Sequence, residues 1–433
     1  MKLIHLFFIF IFIITILEKV KLKPTLHILG LPHTEINTKF SVCAFTQKIR
    51  RLCRIATEIG YRAILYGNEG SETKCSEEVI IFTKKEREEL YGKDEEGWMI
   101  GKQFNIHGIK PLATELYYNI TIKKIKEKKQ LHDFLLITYG WMHKPIADQL
   151  PDLIAIETGI GYPSPWAERR VYESSAWFHT NLGLQTKDRS KTIIPLWYQT
   201  VIPNCYYNDD FEPMNKNMAI IFKKNQTKIN DLFKNKKEYY LFAGRIIDTK
   251  GISIAIDIVK KTNITLKIAG QGDVYKFLPK SDPLWSTNRV EYLGVLQPYE
   301  RNKQLFFAKA LIAPTYYIEP FGGIMVESMF LGTPVITTNR GAMFETIIDG
   351  KTGFRCSTMS CFIYAINQIN KNNIATKEEV SKYARSKYHC RFVKNQYLDY
   401  FEEIELSLTK DAWYNTSKIN YHPNKQTKTL SWD

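Results

Sequence analysis

The sequence predicts an α/β protein with two Rossmann-like domains. Its 433 residues exceed what one hydrophobic core usually serves, so two domains are expected. Near the N-terminus a strand at 25–31, an amphipathic helix at 44–59 and a strand at 61–66 follow one another. This order is typical of the start of a Rossmann-like unit. The segment 310–338 again contains a strand, a turn, a helix and a strand, which fits the same α/β class.

The first domain continues with two further predicted strands, at 134–139 and 153–157. Each is followed by a polar or aromatic loop, at 140–143 and 158–162. Open α/β sheets bind ligands beyond the carboxyl ends of their strands. We therefore expect these loops to form one wall of a cleft.

The chain begins with an apolar segment at 3–17 that contains no charged residue and is flanked by lysines. As a helix this segment would rise about 22 Å, which is short of the ~30 Å hydrocarbon core of a bilayer. Its length suits a signal peptide or a short membrane anchor, although no small-x-small cleavage site follows. Membrane association through 3–17 or entry into the secretory route, and a cytoplasmic location, both stay open.

Several composition features bear on the class of protein. The net charge is +15, but the lysines occur in short runs and no helix-turn-helix, zinc-finger or RNA-recognition signature is present. Specific nucleic-acid binding is therefore not expected. The seven cysteines include no Cys-x-x-Cys pair, and the histidines do not cluster at metal-ligand spacing. Neither a structural zinc site nor a closed disulfide framework is expected. Four Asn-x-Ser/Thr glycosylation acceptor sequences give little support for a secretory route, because an Asn- and Thr-rich chain contains several by chance. They begin at Asn119, Asn225, Asn263 and Asn415.

The most informative segment is 310–338, which has the sequence ALIAPTYYIEPFGGIMVESMFLGTPVITT. A buried strand leads into a turn at 319–323, and a short helix follows and ends at Gly332. Two glycines at a helix start let backbone N–H groups approach an anion, which the helix dipole also favours. Glu319 and Glu327 lie eight positions apart, so both can face one ligand. A diphosphate between two hydroxyl-bearing rings would match these groups.

Two cations follow predicted strands in the same half of the chain. Arg245 comes directly after the strand that ends at Gly244, and Lys250 lies in the next loop. This position, beyond the carboxyl end of a strand, is where open α/β sheets bind ligands. The glycines at 270 and 272 resemble part of a dinucleotide fingerprint, but Tyr275 stands where the third glycine is required. A nicotinamide enzyme is therefore not expected.

Taken together, these segments resemble retaining glycosyltransferases of the GT-B fold, family four, also called glycosyl transferases group 1. The Glu-Pro-Phe-Gly-Gly turn with its second glutamate, the segment 239–273 and the segment 340–354 are similar to the family's motifs and occur in its order. The resemblance implies two Rossmann-like domains that face each other across a cleft, with C-terminal helices crossing back to the first domain. The implied divisions are an apolar leader at 1–23, an acceptor-side domain at 24–200, a nucleotide-sugar domain at 201–390, a crossover helix at 391–408 and a polar tail at 409–433.

The resemblance also implies a reaction. A sugar would pass from a nucleoside-diphosphate sugar to a hydroxyl acceptor with retention of anomeric configuration. Arg245 and Lys250 would neutralise the departing diphosphate, and Glu319 would hold a hydroxyl of the donor sugar. Glu327 would accept hydrogen bonds from the ribose. Other donor contacts are expected at Gly244, Gly322, Gly323, Ile324 and Val295. The chain contains no Asp-x-Asp triplet, so neither a metal nor another cofactor is expected.

Two alternatives stay open. Another GT-B enzyme, such as a sugar-nucleotide epimerase or a phosphorylase, would need a general acid or base in the first domain. The histidines available for that role are His33, His107, His143 and His179. A catalytically inactive sugar-binding scaffold is the non-enzyme alternative, although it would have no need for the two cations and both glutamates together. The sequence names neither the sugar and base of the donor nor the acceptor.

Overall fold

A computed structural model describes residues 23–41, 43–93, 111–186, 195–234 and 238–408. The apolar segment at 3–17, the polar tail at 409–433, His107 and Asn415 lie outside these ranges, so membrane association through 3–17 stays a prediction. Within the described ranges, no helix has the length and apolar character needed to cross a membrane.

The first domain is built on a parallel sheet that contains seven strands within the described ranges, in the order β3-β2-β1-β4-β5-β6-β7. The strands are β1 (Leu26–Leu29), β2 (Ala63–Gly67), β3 (Glu77–Ile80), β4 (Phe134–Ile137), β5 (Ile154–Ile160), β6 (Arg169–Tyr172) and β7 (Gln199–Val201). The strands predicted at 25–31, 61–66, 134–139 and 153–157 correspond to β1, β2, β4 and β5. The central strands β1 and β4 are fully buried, as expected for a parallel sheet covered on both faces.

Helices flank this sheet. They are α1 (Ala44–Glu58), α2 (Lys84–Tyr91), α3 (Pro111–Lys126), α4 (Lys144–Asp148) and α5 (Ser175–Gln185). The predicted helix at 44–59 is α1, and its buried residues recur at the three- and four-residue spacing of an amphipathic helix. Ser174 caps α5 by accepting a hydrogen bond from the Trp177 N–H at 3.1 Å.

The second domain has a parallel sheet of six strands among the described residues, in the order β10-β9-β8-β11-β12-β13. The strands are β8 (Tyr240–Ala243), β9 (Leu266–Ala269), β10 (Val290–Gly294), β11 (Leu311–Ala313), β12 (Val335–Thr338) and β13 (Gly353–Cys356). The helices are α6 (Met214–Phe222), α7 (Gln226–Phe233), α8 (Ile252–Lys261), α9 (Pro298–Phe307), α10 (Gly323–Phe330), α11 (Met343–Thr346), α12 (Met359–Asn370) and α13 (Lys377–Tyr388). The predicted fold class, α/β with two Rossmann-like domains, is confirmed.

Strand order reverses once in each sheet, between β1 and β4 and between β8 and β11. At such a switch point the loops on the two sides leave in opposite directions and open a crevice at the carboxyl ends of the strands. In the second domain the segments that follow β8 and β11 contain Arg245 and Glu319, respectively. The topology therefore brings these two side chains, 74 positions apart in sequence, to one crevice.

The chain passes between the domains twice, at 202–207 and at 388–390, and its last described helix, α14 (Cys390–Ser407), returns to the first domain. One face of α14 buries Val393, Tyr397, Phe401 and Ile404 in the hydrophobic core beneath β1 and β4. A disulfide between Cys205 and Cys390 joins the two crossings. Backbone hydrogen bonds from Tyr206 N to Tyr388 O (2.9 Å) and from Cys390 N to Tyr206 O (3.0 Å) reinforce the connection. Cysteine spacing did not indicate this bond, because its partners lie 185 positions apart.

Because the disulfide closes a long loop, its removal is expected to destabilise the protein. Replacing both partners (Cys205→Ser with Cys390→Ser) should lower the free energy of unfolding by about 2–5 kcal/mol. Denaturant unfolding without reductant measures this change. The control is Cys361→Ser, which alters a half-buried free thiol and should change stability by less than about 1 kcal/mol. Equal losses in the two variants would mean that the cross-link does not stabilise the fold.

Candidate active site

A cleft of about 1190 Å³ lies between the two domains. The first domain contributes α1 and the segment around Glu173, and the second contributes the loops after β8 and β11 together with the start of α9. Pockets for a single small ligand usually measure about 300–1,000 Å³. The cleft therefore has room for more than one small substrate.

The structure brings most of the predicted site residues to this cleft. The predicted residues that line it are Gly244, Arg245, Lys250, Glu319, Gly322, Gly323, Ile324 and Glu327. Val295 is not among the described residues that line the cleft, and its contact with the donor stays a prediction. The loop after β10 starts at the edge of the sheet, two strands from the switch point, so only its farther part reaches the cleft. The lining residues there are Gln297, Pro298 and Tyr299.

The backbone at the start of α10 is free to bind an anion. Gly322 precedes the helix in a left-handed conformation with φ of 80°, and a Cβ at this position would lie 2.7 Å from Met343 Cε. Glycine is therefore required for the chain to turn here. Among the described residues, no acceptor bonds to the backbone N–H groups of Gly322, Gly323 or Ile324. Such unpaired N–H groups at a helix N-terminus form a ready anion site.

Lys250, Tyr317 and Glu319 form a compact hydrogen-bonded cluster. Lys250 Nζ donates to Glu319 Oε2 at 2.5 Å and to the Tyr317 hydroxyl at 2.6 Å. The Tyr317 hydroxyl in turn donates to the same Glu319 oxygen at 2.7 Å. Burial, followed by the charge of Glu319, raises the pKa of Tyr317, so its hydroxyl stays protonated and can donate. Glu319 is thus held in one orientation by two donors.

Gly251 allows Lys250 to reach this cluster. Its φ is 79°, and a Cβ there would lie 2.1 Å from the Pro314 carbonyl oxygen. The loop after β8 can therefore pack closely against the segment after β11 only because position 251 has no side chain. Arg245, in the same loop, is exposed at the cleft and makes no ion pair with any described residue.

Glu327 faces a different cation. Arg301 of α9 places its Nη2 3.3 Å from Glu327 Oε2, and both side chains are mostly buried. This contact has the distance of an ion pair without the geometry of a hydrogen bond, and Glu327 Oε2 makes no hydrogen bond to the described residues. This oxygen is buried, but Glu327 as a residue lines the cleft, so its carboxylate is placed where a ligand hydroxyl can approach. The sequence analysis missed Arg301, because nothing in the local pattern of α9 distinguishes it from a surface cation.

The first domain adds a third paired carboxylate. Glu173, directly after β6, is 4% exposed and forms an ion pair with Lys48 of α1. Lys48 Nζ also donates to the Gly159 carbonyl at 3.0 Å. The charge of Glu173 contributes to raising the pKa of Tyr317, which places it near the second domain's cluster. The sequence analysis missed this pair because the strand before Glu173, with the sequence RRVY, lacks the apolar pattern of a buried strand.

Of the histidines considered as acids or bases, the three that the structure describes do not line the cleft. His143 is buried, and its burial lowers its pKa to about 3. Burial, followed by the charges of Arg87 and His143, also lowers the pKa of His33 to about 3. Both are therefore neutral at physiological pH and shielded from substrate. His179 lies on α5 and is not among the described lining residues.

Comparison with known proteins agrees with this architecture. The family described as Glycosyl transferases group 1 matches residues 223–387. An uncharacterized glycosyltransferase of Methanocaldococcus jannaschii is 29% identical over 150 residues, which cover 34% of this chain and 42% of that protein. The chain spans less than half the length of the curated relatives it matches.

Solved structures extend the likeness to both domains. A glycosyltransferase involved in avilamycin A biosynthesis has a TM-score of 0.61 at 16% identity, over 88% of this chain and 98% of that one. The Anabaena protein HepE, in complex with UDP and glucose, has a TM-score of 0.59 at 14% identity, over 88% and 99%. The second domain is thus similar to glycosyl transferases group 1, and the chain has the two-domain GT-B fold.

Proposed function

We propose that this protein is a glycosyltransferase that moves a sugar from a nucleoside-diphosphate sugar to a hydroxyl group of an acceptor. The observation that carries this proposal is the convergence of the free N–H groups of α10 with Arg245, Lys250 and two carboxylates at one switch point. A nucleoside-diphosphate sugar has the matching order of groups, with an anionic diphosphate between two hydroxyl-bearing rings. The likeness to glycosyl transferases group 1 and to HepE supports the same assignment.

The difficult step is breaking the anomeric C–O bond while negative charge grows on the departing diphosphate. Arg245 and the N–H groups at Gly323 and Ile324 stabilise that charge. Preorganised donors of this kind typically contribute about 3–4 kcal/mol each. Lys250 Nζ has three N–H donors, and Glu319 and Tyr317 accept two of them. The third is available to a phosphate oxygen, so Lys250 links the diphosphate to Glu319.

The two carboxylates of the second domain have separate roles. Glu319, fixed by Lys250 and Tyr317, accepts a hydrogen bond from a donor-sugar hydroxyl and places negative charge near the oxocarbenium-like carbon. Glu327, whose Oε2 lacks a hydrogen bond among the described residues, accepts from the ribose hydroxyls. We infer retention of configuration from the similarity of the 319–327 segment to the retaining family. We also infer that no divalent ion is needed, because the cations and the N–H groups at the start of α10 neutralise the charge of the diphosphate in its place.

The acceptor lies against the first domain. Glu173 lines the cleft opposite the donor groups and is oriented by Lys48. A carboxylate is an acceptor-only group when ionised, so it suits a hydroxyl that must be held with its oxygen toward the anomeric carbon. We therefore assign Glu173 to the nucleophilic hydroxyl of the acceptor.

Slow hydrolysis of the donor tests the function without knowledge of the acceptor. Purified protein incubated with radiolabelled UDP-, GDP- or ADP-sugars should release sugar from its own donor. The rate should be unchanged in excess EDTA, because the cationic groups replace a divalent ion. Absence of both hydrolysis and a thermal shift with every nucleotide sugar would contradict a transferase. Loss of activity in EDTA that manganese or magnesium restores would contradict the metal-independent mechanism.

Removal of the cation at the diphosphate should slow the chemical step. Arg245→Ala is expected to lower turnover on the order of 10²–10³-fold in the same hydrolysis assay, because it removes transition-state stabilisation. Arg391→Ala is the matched control, since Arg391 is exposed at the start of α14 and does not line the cleft. Turnover of Arg245→Ala equal to that of the control would remove Arg245 from the mechanism.

The roles of the two glutamates can be separated by calorimetry with the free nucleoside diphosphate. Glu327→Gln should weaken nucleotide binding, because the ribose loses a charged acceptor. Glu319→Gln should retain nucleotide affinity, because Glu319 contacts the sugar and not the nucleotide. It should depress turnover, because the sugar loses this contact and the neutral side chain no longer forms an ion pair with Lys250. Equal losses of nucleotide affinity in both variants would show that this division of roles is wrong.

A further inference from the structure

Glu345 of α11 connects the second domain to the first. Its Oε2 accepts a hydrogen bond from Ser175 N at 2.9 Å, and its Oε1 accepts from Ala176 N at 2.7 Å. These two N–H groups are the first of α5 and have no partner within their own helix. A carboxylate is favoured at this position because it pairs with the free donors and with the positive end of the helix dipole. The contact joins segments that are distant in sequence, since Glu345 lies 170 positions after Ser175 and 169 positions after Ala176.

On the side of the first domain, this contact lies next to Glu173, to which we assign the acceptor hydroxyl. Glu173 immediately precedes the Ser174 cap of α5, and Trp177 in the first turn of the helix also lines the cleft. Trp177 is held by a hydrogen bond from its indole N–H to the Tyr162 carbonyl at 3.2 Å. A carboxylate that fixes the start of α5 thereby fixes the backbone that carries Glu173.

On the side of the second domain, the contact lies behind the loop after β11, which contains Glu319. Ala342 N donates to the Glu319 carbonyl at 3.0 Å, and a Cβ at Gly341 would lie 2.6 Å from Glu319 N. Met343 packs against Gly322 at the start of α10. The backbone of Glu319 and Gly322 is thus supported by the three residues that lead to Glu345. Movement of Glu345 would be transmitted to both.

We propose that Glu345 and the N-terminus of α5 form an interdomain clasp that positions Glu173 of the first domain against Glu319 of the second. Glu345 is a positioning residue in this scheme, since it touches neither substrate. The clasp is exposed to solvent, where a hydrogen bond contributes only modestly to stability, so it can open for substrate entry and product release. The covalent connection at Cys205–Cys390 keeps the domains joined while it opens.

Two variants remove the clasp from opposite sides. Glu345→Ala removes the carboxylate. Ser175→Pro removes one N–H donor at the first helical position, where proline is tolerated, and the extended conformation of Ser174 (φ −156°, ψ 158°) suits a residue before proline. Asp349→Ala is the matched control, because Asp349 is exposed nearby and accepts a hydrogen bond only from Arg355 N of its own domain among the described residues.

The separation of the domains is measured on the full-length, ligand-free protein. Dyes are attached through unnatural amino acids at Glu127 and Lys351, which are exposed on the first and second domain, respectively. Single-molecule energy transfer should show one closed population in wild type and Asp349→Ala. Glu345→Ala and Ser175→Pro should each shift molecules to a longer distance, and the double variant should add little to either. Wild-type distances in both single variants would overturn the clasp.

A kinetic readout distinguishes positioning from simple structural support. Its interpretation rests on the proposed transferase function, whereas the distance measurement does not. Turnover of the donor in Glu345→Ala should fall about 10- to 100-fold, because catalytic groups misplaced by about 1 Å lose rate on this scale. Nucleotide affinity should remain within about twofold of wild type, since the second domain alone binds the nucleotide. Longer distances with unchanged turnover would refute a positioning role, and longer distances in a protein without any donor turnover would refute the transferase function alone.

Discussion

Each of the three carboxylates to which we assign a substrate contact lies beside a cation, and this pairing is the constraint on which the proposed site depends. Glu173 pairs with Lys48, Glu319 with Lys250, and Glu327 with Arg301. A carboxylate removed from water is costly unless it is paired, and three unpaired carboxylates around one cleft would also repel a diphosphate. Pairing makes each carboxylate locally neutral while leaving it able to accept a hydrogen bond. Under the proposed function, the cleft can therefore accommodate an anionic donor and still present oxygen atoms to its hydroxyls.

The pairs also fit the proposed division of donor and acceptor groups between the domains. Lys250 and Glu319 come from two loops of the second domain, and Lys48 and Glu173 come from a helix and a strand end of the first. Neither pair crosses the cleft, so each domain keeps its own charge balance when the domains separate. The first domain contacts α11 through Glu345, and it contacts the segment after the 202–207 crossing through ion pairs of Arg50 and Arg51 with Asp210. Because neither ion pair crosses the cleft, domain motion can change the distance between the two pairs without breaking either of them.

The high net charge has little connection with the site. Of the cations discussed, Lys48, Lys250 and Arg301 are balanced by neighbouring carboxylates, and Arg245 adds a single exposed charge at the cleft. The net charge of +15 therefore resides mainly elsewhere on the surface. In the proposed function a diphosphate is attracted by the local arrangement of Arg245 with the free N–H groups of α10, which the total charge does not report.

Sequence alone determined the features that depend on near neighbours. The strand, turn and helix around Glu319 and Glu327, and the glycines of that turn, are local patterns, so the α/β class and the turn at 319–323 were predictable. The partners were not, because Tyr317 gave no separate signal and Lys48–Glu173, Arg301–Glu327, Cys205–Cys390 and Ser175–Glu345 meet only after both sheets have formed. The place of Val295 depends on the same packing, since the distance of β10 from the switch point is set by strand order. Local sequence specifies which groups are present, whereas only the packing of distant segments decides which of them touch.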